Sequence, residues 1–279
     1  MIENLMPNFP VDDWVSDFVS WLTDTFQFIF DPIEVGLSSV MNFIIDILTA
    51  IPPVIFILAV MVLTFFFMKR TITAPILVAL GLLFIYDQEL WANMLSTLTL
   101  VLISALISVV LGVPLGILMS RNDRFEAVMK PILDFMQTMP AFVYLIPAVA
   151  FFGIGMVPGV FASFIFSAPP TIRLTNLGIR QIDPELTEAS DAFGTTAMQK
   201  LLKVQMPLAQ PTIMQGINQT IMLALSMVVI ASMIGAPGLG RDVLSALQRA
   251  DVGTGFVAGL SIVILAIIID RFTQARSAK

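Results

Sequence analysis

The sequence predicts an all-α polytopic membrane protein, with about seven transmembrane helices behind an amphipathic N-terminal helix. Three observations carry that reading. Of 279 residues, 57% are hydrophobic and only 12% charged, whereas soluble chains carry about 25% charged residues. A water-soluble core of this length could not hide so much apolar surface, because the buried fraction rises slowly with size. The apolar residues also fall into runs that approach the roughly 20 helical residues a hydrocarbon layer requires, without the alternation of barrel strands. Finally, the basic residues gather on one side of an alternating topology.

The composition excludes other classes. A net charge of -6 argues against a nucleic-acid partner. Neither Cys nor His occurs, which removes disulfides, the usual zinc sites and thiol or imidazole catalysis. No catalytic residue, metal or bound cofactor is expected on this chain.

Residues 1–50 form an acidic segment of their own. Glu3, Asp12, Asp13, Asp17, Asp24, Asp31, Glu34 and Asp46 occur there without any Lys or Arg, so the basic start of a secretory signal is missing. Val11, Trp14, Val15, Phe18, Val19, Trp21, Leu22, Phe26 and Ile29 recur at near-helical spacing. Two readings fit them: an amphipathic helix in the outer interface, or a scaffold helix packed on the spans.

Apolar runs follow at 51–68 and 72–86, a pair of N-terminal transmembrane helices filling 51–90, and then at 91–119, 135–152, 157–168, 213–234 and 255–269. The runs at 72–86 and 157–168 are short and call for local thinning. With the N-terminus outside and the C-terminus in the cytoplasm, Lys69, Arg70, Arg121, Arg124, Lys130, Arg173, Arg180, Lys200, Lys203, Arg271, Arg276 and Lys279 all face the cytoplasm. Only Arg241 and Arg249 fall outside, a strong positive-inside bias. Asp46, Asp134, Arg173 and Asp270 fall near span ends on this division. The lack of mid-span charge weighs against proton coupling but leaves a sodium-coupled carrier or a channel subunit open as alternatives.

The longest cytoplasmic insert runs from 168 to 213. Pro169-Pro170 is expected to end the fifth span, since both rings remove donors. Asp183-Pro184-Glu185 reads as an N-cap, a proline at the first helical position and a first-turn acid. The helix is expected to reach Phe193 and stop at Gly194. Thr195 or Thr196 then caps a second helix carrying Lys200 and Lys203 and ending before Pro207. The first helix presents Leu186, Ala189, Ala192 and Phe193, a surface better suited to docking than to water. The stretch from Gly194 to Lys200 lacks the second glycine and hydroxyl of a phosphate loop.

Glu188-Ala189-Ser190, Gly194, nine residues and Val204-Gln205-Met206-Pro207 resemble the EAA signature of permease subunits of binding-protein-dependent ABC importers. Stretches 134–144 and 218–234 are similar to the permeases of glycine betaine/proline betaine importers. The likeness covers about residue 91 to the C-terminus and implies a type I importer permease core over 91–279, with a coupling loop at 178–210. It further implies a homodimer of permeases in a bacterial inner membrane, two ATP-binding subunits that hold ATP and Mg, and an extracytoplasmic substrate-binding protein. The coupling set under that resemblance is Glu185, Glu188, Ala189, Ser190, Phe193, Gly194, Thr195 and Pro207.

Three further groups are candidates. The sixth span carries Gln215, Asn218, Gln219 and Ser226, and Gln215, Asn218 or Gln219, Met222 and Ser226 share one face, either as interhelical or dimer-interface hydrogen bonds or as pathway lining. Phe142 and Tyr144, with Phe151 and Phe152 nearby, offer rings for a quaternary ammonium group or ordinary packing. Beyond the sixth span, Gly238, Gly240, Arg241 and Arg249 form either an outer gate or binding-protein contact, or a plain connector.

Overall fold

The computed structural model describes residues 10–67 and 72–277; Met68, which closes the first predicted span, and the bases Lys69, Arg70 and Lys279 lie outside them, as does Glu3. Helix follows helix: α1 (Val11–Ala50), α2 (Pro53–Phe67), α3 (Thr73–Asp87), α4 (Trp91–Arg121), α5 (Asp123–Thr138), α6 (Leu145–Phe152), α7 (Met156–Arg180), α8 (Pro184–Ala192), α9 (Ala197–Lys200), α10 (Met206–Ser232), α11 (Leu239–Gln248) and α12 (Val252–Ser277). Among the described residues four helices are long and apolar enough to cross a membrane, or five with the bent pair that contains α5 and α6.

The centre is a three-helix unit of α4, α7 and α10. Ser104 and Ser108 of α4 lie against the carbonyls of Val160 and Phe164 on α7, and Gly112 and Gly116 meet Thr171, Ile172 and Thr175 further along. The two helices therefore run parallel. Helix α10 runs antiparallel to α7, with Ala209 at Gly178, Gly216 at Pro170 and Leu174, and Thr220 at Thr171. Small residues let these backbones approach closely, as association in lipid requires.

Pro169 and Pro170 do not end the fifth span. Helix α7 passes through both and continues to Arg180, with 169–172 fully buried between its neighbours. Hydroxyls line the backbone there: Thr220 donates to the Ser167 carbonyl at 2.8 Å, and the Ser108 oxygen lies 3.4 Å from that of Phe164. Prolines are tolerated in such helices when neighbouring helices satisfy nearby backbone groups. One consequence is that Arg173 lies seven residues inside the end of α7, not at its tip.

The predicted span 135–152 is also altered. Its chain starts earlier, at α5, and turns through 107° before a short 3-10 turn (Ala141–Tyr144) leads into α6. Met139 precedes Pro140 and takes an extended conformation, which a following proline imposes. The second helix of the insert does not end before Pro207. Instead α9 passes through a π turn (Leu201–Gln205) into α10, and Pro207 sits just after that turn. The last span likewise extends beyond 255–269 at both ends, placing Asp270 within α12.

Helix α1 is a single 40-residue helix rather than a segment confined to residues 11–30. Phe30 stacks on Phe151 and meets Phe152 edge-on at the end of α6. Leu37, Ile44 and Leu48 pack on the core around buried Met41. The helix then runs into α2, whose Phe56 abuts Trp91 at the start of α4. Phe152 and Trp91 belong to the same end of the bundle, so the second half of α1 lies across that end. The second half packs on the bundle, and the first half exposes Trp14, Phe18 and Trp21.

Candidate functional site

From Asp183 to Thr196 the insert folds as the spacing predicts. Asp183 caps α8 by accepting from the Glu185 amide, with Pro184 in the first turn. Gly194 adopts φ +75 directly after the C-cap Phe193, a conformation that disfavours a side chain. Thr196 and Gln199 then form a reciprocal capping box on α9. Across the glycine, the Ser190 and Thr195 hydroxyls lie 2.7 Å apart, and Thr195 donates to the Ser190 carbonyl at 2.9 Å. The serine that replaces the signature's second alanine thus closes the turn. Lys200 Nζ adds 2.8 Å contacts to both carboxylate oxygens of Asp191.

This closed turn leaves an apolar surface outside it. Phe193 is 90% exposed, and Leu186, Met198 and Leu202 are exposed as well. Glu185, Glu188 and Ala189 are also exposed, whereas Ser190 is buried and Thr195 half-buried. Arg121, at the end of α4, donates to the Ala197 carbonyl at 3.1 Å and ties the segment to the bundle. Beneath it, Arg180 reaches Asp123, Glu126, Asn176 and the Met119 carbonyl, and joins the ends of α4, α5 and α7. Asp191, Lys200 and Arg121 escaped the sequence reading, because charged residues at such spacing more often decorate a solvated face.

The polar residues of α10 divide. Asn218 turns to α12: it donates to Asp270 at 2.8 Å and accepts from Thr273 at 2.7 Å. Gln215, Gln219, Met222 and Ser226 stay exposed in a stripe that follows the helical repeat. On α7, Asn176 and Arg180 face α5 while Leu174 and Gly178 face α10, so Arg173 and exposed Leu177 occupy the open sector between. Helix α4 fills the other side of the α7–α10 pair. The open sectors of both helices therefore face the same way, and Gly216 against Leu174 sets Gln215 level with Arg173, with Gln219 one turn further along.

The four aromatic candidates do not converge. Phe142 is exposed, but Tyr144 is buried and its hydroxyl donates to the Met136 carbonyl, closing the bend between α5 and α6. Phe151 and Phe152 are engaged by Phe30 and Phe161. Tyr144 serves the bend, and Phe151 and Phe152 anchor α1.

Beyond α10, Gly238 and Gly240 are buried, and a Cβ on either would collide with Thr97 or with the Val228 backbone. Their role here is close packing, and Leu239 N donates to Thr97 at 2.8 Å while Asn93 donates to Asp242 at 2.7 Å. Burial pushes the Asp242 carboxyl above its ordinary range, against the Asn93 bond and Arg241. Arg241 and Arg249 are exposed beside exposed Leu247. Asp251 caps α12 through the Thr254 hydroxyl and amide, which together hold its carboxyl below the ordinary range.

Comparison with known proteins adds three findings. Residues 108–278 match the family described as binding-protein-dependent transport system inner membrane component. The chain is 53% identical over 276 residues to the glycine betaine/carnitine transport permease protein GbuB of Listeria monocytogenes, covering 98% of each chain. It is 51% identical over 269 residues to the glycine betaine transport system permease protein OpuAB of Bacillus subtilis, covering 96% and 95%. Among solved structures, the inward-facing methionine ABC transporter MetNI matches 68% of this chain and 93% of its own, at TM-score 0.58 and 22% identity. An amino acid ABC transporter matches 69% and 92%, at TM-score 0.54 and 20% identity. These structural likenesses establish a shared fold.

Proposed function

The chain belongs to the family of binding-protein-dependent transport system inner membrane components, and from that membership we propose that it is the permease subunit of an ATP-driven importer of glycine betaine or a related quaternary amine. Hydrolysis takes place on a separate ATPase that holds ATP and Mg. Two permeases, two ATPase subunits and an extracytoplasmic binding protein make up the working assembly in a bacterial inner membrane. Seven crossings follow from residue 51 onward, with α8 and the C-terminus in the cytoplasm, where the basic residues concentrate.

The observation that carries this reading is the α8 turn. A capped helix ending at an almost fully exposed phenylalanine presents a hydrophobic anchor of the kind that dominates protein interfaces. The π turn and α10 then form one continuous rod from that anchor to the far end of the bundle. Movement imposed on α8 by ATP-driven closure tilts α10, and with it the Gln215–Gln219–Met222–Ser226 stripe, as a rigid-body switch. That stripe and its partner on a second copy line the pathway, since polar side chains in a membrane face a partner or water. High-affinity solute recognition resides on the binding protein, which docks near Arg241 and Arg249.

Copurification of the chain with its ATPase, followed by ATP-dependent uptake of glycine betaine into vesicles, tests the proposal. Uptake that proceeds without ATP on a sodium gradient would instead identify a secondary transporter.

A further inference from the structure

Arg173 and Asp134 form an ion pair at 2.5 Å between α7 and α5, on the edge of the uncovered face described above. Arg173 stands two turns inside the end of α7, and a guanidinium at membrane depth is costly unless it faces a partner, an aqueous cavity or both. Asp134 is mostly exposed and the Arg173 side chain about one-third so, at 64% and 37%, and they open onto the same side as Gln215 and Gln219. Arg173 uses Nη2 for Asp134, yet its Nε is buried and makes no hydrogen bond among the described residues. Buried donors of this kind are rarely left unmade in a purely structural pair.

We propose that the Asp134–Arg173 pair is a transit subsite for a zwitterionic solute. The inference rests on the importer reading and names the chemistry of the pathway. A guanidinium holds a carboxylate best through two parallel N–H donors, and Arg173 presents only half of that fork to Asp134. The solute's carboxylate takes the Nε–H and Nη–H fork, and its cationic end moves against the released Asp134 carboxylate. The solute thus exchanges partners with a pair that carries the same two charges, so that no net charge is uncovered at any stage. A cation or an anion alone leaves one protein charge unpaired in a low-dielectric channel. Gln215, level with Arg173, and Gln219, one turn further along, supply neutral hydrogen bonds beside the exchange.

The test uses the complete transporter, permease with ATPase and binding protein, in vesicles supplied with radiolabelled glycine betaine, and reads solute moved per ATP hydrolysed. The double variant Asp134→Asn/Arg173→Gln keeps a neutral contact between α5 and α7, and its transport ratio should fall about tenfold, the equivalent of one charge-assisted hydrogen bond. Arg173→Lys keeps the ion pair but loses the fork, and should also lower the ratio even if the double variant fails to assemble. A wild-type ratio in either assembled variant shows the pair to be a structural pin and overturns the inference. Wild-type transporter that hydrolyses ATP but imports no zwitterion defeats the importer reading instead, so the two failures remain distinct.

Discussion

Lys200 Nζ lies 2.8 Å from both carboxylate oxygens of Asp191, and this pair bridges α8 and α9 across Gly194. With the Ser190–Thr195 contact it makes a rigid corner from a glycine that would otherwise be a flexible joint. In the coupling role proposed for α8, rigidity matters because a lever passes on displacement only if its corner does not bend.

Gly194→Ala meets no neighbouring atom within 4 Å, so only its φ of +75 opposes the change. The expected cost is about 1–2 kcal/mol. Gly194→Val should cost more and uncouple transport from ATP hydrolysis while insertion stays intact. Uptake and ATPase rates at matched membrane levels check this, and wild-type coupling in the valine variant counts against the lever.

Phe193→Ala should weaken retention of the ATPase by about 2 kcal/mol, the scale of an interface hot spot. Charge reversal at Glu188 should weaken it as well. Pull-down of the ATPase on immobilised permease measures both, and full retention in Phe193→Ala removes α8 as the docking element.

Asn218→Leu takes a hydrogen-bond donor from Asp270 and an acceptor from Thr273 between α10 and α12. The expected loss is about 1–3 kcal/mol, seen as a lower thermal midpoint in detergent. Gln215→Ala and Gln219→Ala should leave that midpoint unchanged and alter uptake. Equal destabilisation by all three would place the whole polar set in packing.

A Cβ at Gly116 would stand 2.5 Å from Thr175 Cβ and 2.6 Å from the Ile172 carbonyl. Backbone cannot yield as a side chain does, so Gly116→Ala should destabilise the α4–α7 contact by about 1–3 kcal/mol. A midpoint at the wild-type value would show that the helices can separate freely.

Asp251 supplies a pH dependence. Its folded carboxyl is held below the ordinary range by Thr254, first through the hydroxyl and then the amide. A depressed acid stabilises the fold above its unfolded pKa, and that contribution disappears as pH falls through the folded value. Asp251→Ala should therefore lower the thermal midpoint at neutral pH, and the difference from wild type should vanish in strong acid. A constant difference across that window would mean that the charge plays no part in the cap.

The architecture was legible wherever a residue acts through its immediate neighbours in the chain. Asp183, Pro184, Gly194 and Thr196 mark their helix ends because capping and positive φ are settled within a turn. The membrane class followed from composition, and the likeness around Glu188 and Pro207 pointed to the family that comparison then established. Pro169 and Pro170 misled because a proline's local cost says nothing of hydroxyls contributed by α4 and α10. Tyr144 was read as a ring that could meet solute, yet eight residues back Met136 offered its hydroxyl an acceptor.

The sequence by itself determined that the chain is a membrane protein, where the short helix α8 starts and stops, and which residues are apolar. Only the tertiary structure decided that Asn218 packs while Gln215 and Gln219 remain open, and that Arg173 sits inside a helix beside Asp134. Helical periodicity places residues on faces, but which face is covered depends on helices that are distant in sequence and are brought together only by packing.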